Sequence, residues 1–143
     1  MPGPLSDCYV LSPSRSSADA LLFLRTFVPD HSPQWDDSDP SEVLGTPIDM
    51  TLTQITQFLE AHPELAYSMY FRNNAAGQPY FAILCYCGDG SLIFGLSGEE
   101  SGASASCLLG RLEAHAGSKG YWSVEEVPPD SKREFFTRAS QCA

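Results

Sequence analysis

The run Leu65-Ala-Tyr-Ser-Met-Tyr-Phe-Arg72, Asn73-Asn-Ala-Ala-Gly-Gln78, Pro79-Tyr-Phe-Ala-Ile-Leu-Cys-Tyr-Cys87, Gly88-Asp-Gly90, Ser91-Leu-Ile-Phe-Gly-Leu96 decides the fold. Leu65, Tyr67, Met69 and Phe71 alternate with smaller or polar neighbours, the period of a strand with one buried face. Residues 73–78 and 88–90 have turn compositions, and the segments between them are rich in strand-forming aromatic and aliphatic residues. Three strands joined by short polar turns make an antiparallel meander, because parallel neighbours need a long crossover.

Working outward, residues 8–11 read as a short strand and residues 12–17, Ser-Pro-Ser-Arg-Ser-Ser, as turn and capping residues. Ala20, Leu21, Leu24, Phe27 and Val28 recur at helical spacing until Pro29. Asp49 or Thr51 can cap a second helix over residues 51–62, with Leu52, Ile55, Phe58 and Leu59 on one face. Beyond the meander, residues 97–102 read as a flexible loop, and Ser104 or Ser106 starts a third helix carrying Leu108, Leu109, Leu112 and His115. Residues 121–127 form a last strand, Pro128-Pro129 break it, and residues 131–139 make a base-rich helix with Phe135 and Phe136 docking inward. The expectation is one α+β domain over residues 1–143: a mostly antiparallel sheet with a central three-strand meander and helices packed on one face.

At 143 residues and 43% hydrophobic content the chain can bury a single core. Eight basic and eighteen acidic residues give a net charge of -10, which repels phosphate backbones and anionic lipid heads, so nucleic acid and membrane surfaces are poor partners. The charge is segregated: residues 26–109 hold one base, Arg72, and eleven acids, while the two ends together are neutral. Such segregation fits either a solvated acidic surface or a face built to meet a cationic protein. No apolar run approaches a membrane span and residues 1–11 lack the form of a signal peptide, so the expected compartment is the cytoplasm. Five unspaced cysteines (Cys8, Cys85, Cys87, Cys107, Cys142) suggest reduced thiols rather than a disulfide framework.

Residues 29–47 form a long acidic, proline-rich loop with Trp35 at its centre and Asp36, Asp37, Asp39 and Glu42 after it. Trp35 can be an exposed anchor for a partner or a pin holding the loop to the core. Catalytic and metal constellations do not assemble from the sequence. Cys85 and Cys87 share a strand face, but zinc needs four ligands and no second pair lies at finger-like spacing. Cys107 and His115 are two helical turns apart, the loop before the third helix lacks a P-loop lysine, and Asp36-Asp37, Glu99-Glu100 and Glu125-Glu126 are merely adjacent. The reading is a non-enzymatic protein without cofactor or metal.

The helix leading into Tyr67-Ser-Met-Tyr-Phe-Arg72, Tyr80-Phe-Ala-Ile-Leu-Cys-Tyr86 and Gly88-Asp-Gly-Ser-Leu-Ile-Phe-Gly-Leu-Ser97 resembles small bacterial immunity proteins of polymorphic and contact-dependent toxin systems. The resemblance spans residues 52–97 and implies a stoichiometric inhibitor that plugs a cognate, often cationic, toxin. On that reading Trp35 anchors, Asp36, Asp37, Asp39 and Glu42 steer, and Tyr70, Arg72, Glu99 and Glu100 offer a second contact area. From residue 51 onward the element order also resembles acidic chaperones of bacterial secretion systems. An enzyme or small-molecule binder would instead show a deep apolar pocket with a perturbed histidine or carboxylate.

Overall fold

Alternation, caps and turns place ten elements in the computed structural model, which describes residues 5–33, 51–99, 102–123 and 127–141. In chain order these are β1 (Leu5–Leu11), α1 (Ser17–Phe27), β2 (His31–Pro33), α2 (Leu52–Ala61), β3 (Tyr67–Asn73), β4 (Phe81–Tyr86), β5 (Leu92–Glu99), α3 (Gly102–Ala116), β6 (Tyr121–Ser123) and α4 (Lys132–Gln141). The strands form one antiparallel sheet in the order β2-β3-β4-β5-β1-β6. The class is α+β, and the expected meander β3-β4-β5 forms its centre.

Local chemistry explains the boundaries. Ser16 caps α1 by accepting from the Asp19 amide. Thr51 caps α2 in a reciprocal box with Gln54, which satisfies two amides that the helix itself cannot. Asp49, the other candidate cap, lies outside the described residues.

One sheet face, here called the helical face, presents Cys8, Val10, Met69, Phe71, Leu84, Phe94 and Leu96 to α1, α2 and α3. There Phe23 of α1 stacks on Phe94 with ring centroids 4.3 Å apart. The opposite face presents Tyr9, Ile83, Cys85, Cys87, Ile93 and Tyr121, and α4 covers it through Phe135. The helices therefore divide three to one rather than sharing a face. With both faces covered, β4 and β5 are buried almost throughout.

Four further expectations change. His31–Pro33 pairs with β3 as an edge strand, a position that tolerates Pro33. Residues 97–99 belong to β5 because β1 pairs with them, not to a loop. α3 starts at Gly102, ahead of either candidate serine. Phe136 is 53% exposed while Phe135 is buried, since consecutive helical residues cannot both face the sheet.

Candidate functional site

The pairing register arranges the opposite face into three rows. Ser32, Arg72, Phe81, Ser97, Asp7 and Ser123 form a largely polar row. Tyr70, Ile83, Gly95, Tyr9 and Tyr121 form the next, and Ser68, Cys85, Ile93 and Leu11 the third. This face carries hydroxyls, thiols, a guanidinium and a carboxylate.

Its centre is a buried polar cluster. Asp7 accepts from the Tyr9 hydroxyl (2.7 Å) and from the Ser97 hydroxyl (2.5 Å), so its two oxygens have separate donors. Burial and the adjacent carboxylate push the Tyr9 phenol well above its ordinary range, keeping it a donor. The Tyr9 ring lies against Gly95, where an added Cβ would come within 2.9 Å of the ring and 3.1 Å of Ile83 Cβ. Glycine at that position is a space requirement.

Beside this cluster a groove of about 430 Å³ opens between β3–β4 and the segment before α4, lined by Ser68, Cys85, Tyr86, Pro128, Pro129 and Asp130 among others. The Ser68 hydroxyl donates to Cys85 Sγ (3.4 Å). Cys85 Sγ reaches the Pro129 carbonyl at 3.4 Å and Cys87 Sγ reaches it at 3.9 Å. Hydrogen bonding from Cys87, supported by Ser68, pulls the Cys85 thiol below its usual range despite burial, while Cys87, the donor of that bond and itself buried, is pushed up. Cys8, on the apolar helical face, is raised by burial to about 12.

The sequence-derived candidates divide. Tyr70 and Arg72 share this face in successive rows, Tyr70 half-buried and Arg72 exposed. Glu99 ends β5 two residues past Ser97, accepts from the Tyr80 hydroxyl (3.0 Å) and holds its amide against Gln78 Oε1. Trp35, Asp36, Asp37, Asp39, Glu42 and Glu100 lie outside the described residues. Cys85 and Cys87 do point to one face, and no group of metal-ligating side chains assembles among the described residues.

Two arrangements escaped the sequence reading. One is the Asp7–Tyr9–Ser97 cluster, whose members lie on strands 90 positions apart. The other is Arg15, read only as part of a turn. Its guanidinium donates to five carbonyls: Leu59, His62 and Leu65 around the end of α2, and Cys87 and Ser91 across the β4–β5 hairpin. All five N–H groups are thereby used, the ring of Tyr86 lies beneath the cation at 5.1 Å, and the positive charge faces a helix C-terminus. Arg15 is a clamp, not a free anion receptor.

No family model, curated protein or solved structure matches this chain.

Proposed function

We propose that this protein is an immunity-type inhibitor: a non-catalytic binder that caps a cationic protein, such as a toxin, and occludes its active site. The observation that carries this reading is where the negative charge is spent. Eight of the ten described acids are engaged within the fold: Asp7, Asp19, Asp30, Glu60, Asp89, Glu99, Glu113 and Glu134 each accept a hydrogen bond or pair with a neighbour. In the sequence, Asp36, Asp37, Asp39 and Glu42 follow Trp35 within seven positions, and no lysine or arginine lies between Arg25 and Arg72. This acidic stretch beside Trp35 has the composition of an electrostatically steered contact with an aromatic anchor. Tyr70 and Arg72 add an aromatic and a hydrogen-bonding cation on the opposite face. The position of β1 between β5 and β6 weighs against a chaperone-like unit starting at residue 51, because the first strand is integral to the sheet.

The test is capture of the partner from native lysate followed by association kinetics. Neutralising Asp36, Asp37, Asp39 and Glu42 together should slow association by about tenfold or more and flatten its salt dependence, leaving dissociation nearly unchanged. Trp35→Ala should instead accelerate dissociation, by about 30-fold if the anchor contributes about 2 kcal/mol. Unchanged rates in both variants would sink the assignment.

A further inference from the structure

The helices are held to the sheet unequally. α1 buries Ser17, Ala20, Phe23, Leu24 and Phe27, whereas α4, behind a buried Pro129, buries Phe135, with Ala139 packed partly beside it. Phe135 lies against the Tyr121 ring, centroids 5.3 Å apart, and Phe136 turns to solvent. The segment that carries α4 spends its polar groups on itself. Ser131 accepts from the Glu134 amide, Glu134 pairs with Arg138, and Arg138 donates to the Val127 carbonyl, which ties the last turn of the helix back to the start of the segment. The bonds toward the sheet are slight: the Lys132 amide donates to Asp89 in the exposed β4–β5 turn (2.8 Å), and the Cys85 and Cys87 thiols reach the Pro129 carbonyl at 3.4 and 3.9 Å. Between residues 128–130 and β3–β4 the seating leaves the groove of about 430 Å³. All six strands find their pairing partners without α4.

We infer that residues 127–141 are a displaceable cover, which leaves the intact sheet as one body and bares the face of Tyr9, Ile83, Ile93 and Tyr121 with the Cys85 and Cys87 thiols among them. Two features make the movement a unit. The internal bonds from Val127 to Arg138 travel with the segment, so opening does not break them, and the apolar contact that opposes opening is concentrated in one ring. Asp89 is the outer latch, a carboxylate accepting from the first residue of α4, where the helix dipole favours negative charge. The helical face keeps its core throughout, because α1, α2 and α3 lie on the other side of the sheet. Solvent access to the bared face is then set by the equilibrium of the cover, not by global unfolding.

The test is native-state labelling of the full chain with dilute iodoacetamide, each thiol resolved by peptide mass spectrometry and its rate divided by that of the same thiol in the urea-unfolded chain. With dilute reagent this ratio follows the population of the open form. Cys85 and Cys87 should be protected alike, within about threefold, and at least about tenfold less than Cys8, which lies under the helical face. In sub-denaturing urea the Cys8 rate should climb steeply and the rates of the pair only slightly, because opening the cover exposes far less surface than unfolding. Phe135→Ala should raise labelling of the pair by about a hundredfold or more, and Asp89→Ala by about tenfold. Ile55→Val, which trims the buried core of the helical face, should raise Cys8 labelling about two- to tenfold and leave the pair unmoved, since Ile55 keeps the same contacts with the cover open or closed. Equal protection and equal urea slope for all three thiols would overturn the inference, as would labelling of Cys85 with Cys87 still protected, which would mean entry through the groove without movement.

Discussion

The two faces of the sheet are built from alternate residues of the same strands yet use different chemistry. The helical face joins Cys8, Val10, Met69, Phe71, Leu84, Phe94 and Leu96 to three helices through apolar contact. The opposite face holds Asp7, Tyr9, Ser68, Ser97, Cys85 and Cys87, and a single helix covers it through Phe135. The lesson is a division of labour: non-directional burial dominates on one side, and directional bonds on the other hold a few polar atoms in place.

The contrast can be broken most severely at Phe23. Phe23→Ala removes the ring stacked on Phe94 and should cost about 3–5 kcal/mol, seen as loss of global stability in urea. Phe135→Ala removes a ring of equal size, but the result should be local: faster hydrogen exchange in α4, with β4 and β5 still protected. If both variants unfold globally at the same urea concentration, the faces are not separable.

The next effect concerns the clamp on the helical side. Arg15→Ala removes the side-chain donor that ties together five carbonyls around α2 and the β4–β5 hairpin, four of which keep a backbone N–H, and should cost about 3 kcal/mol. Arg15→Lys, with three donors on a point ammonium, should restore only part of it. Equal stability of the lysine variant and the parent in thermal unfolding would show that charge alone matters there.

The smallest effect sharpens the comparison on the opposite face. Gly95→Ala pushes a methyl into the Tyr9 ring and Ile83, and should cost about 1–3 kcal/mol by overpacking. The shift should appear in the tyrosine near-UV signal as well as in the unfolding midpoint, whereas a neutral outcome would mean that the Tyr9 ring moves freely.

Much of this architecture was legible because it is local. The period-two runs and turn residues gave β3, β4 and β5, and Pro29 and Thr51 marked helix ends. The same period placed Cys85 and Cys87 on one face. What escaped depends on partners distant in sequence. β2 is three residues ending in Pro33, too short to carry a period, and exists because β3 offers an edge. Nothing around Phe135 signals which face α4 covers. Asp7 gives no sign that Ser97 will reach it, and a serine-rich turn gives no sign that Arg15 will gather carbonyls from two other elements. The binding residues proposed around Trp35 came from charge and composition, which register charge surplus rather than geometry.

The placement of β1 between β5 and β6 also sets a timetable for biosynthesis. Leu11 pairs with Ile93, and Tyr9 with Tyr121, so β1 leaves a ribosome without its sheet partners until more than eighty further residues have followed. At about 5–20 residues per second the wait for β5 alone is roughly 4–16 seconds, during which β3 and β4 can already pair with each other. For that interval β1 is a nascent strand with two unpaired edges and an uncovered apolar side, and it becomes the natural target of holding factors on the emerging chain.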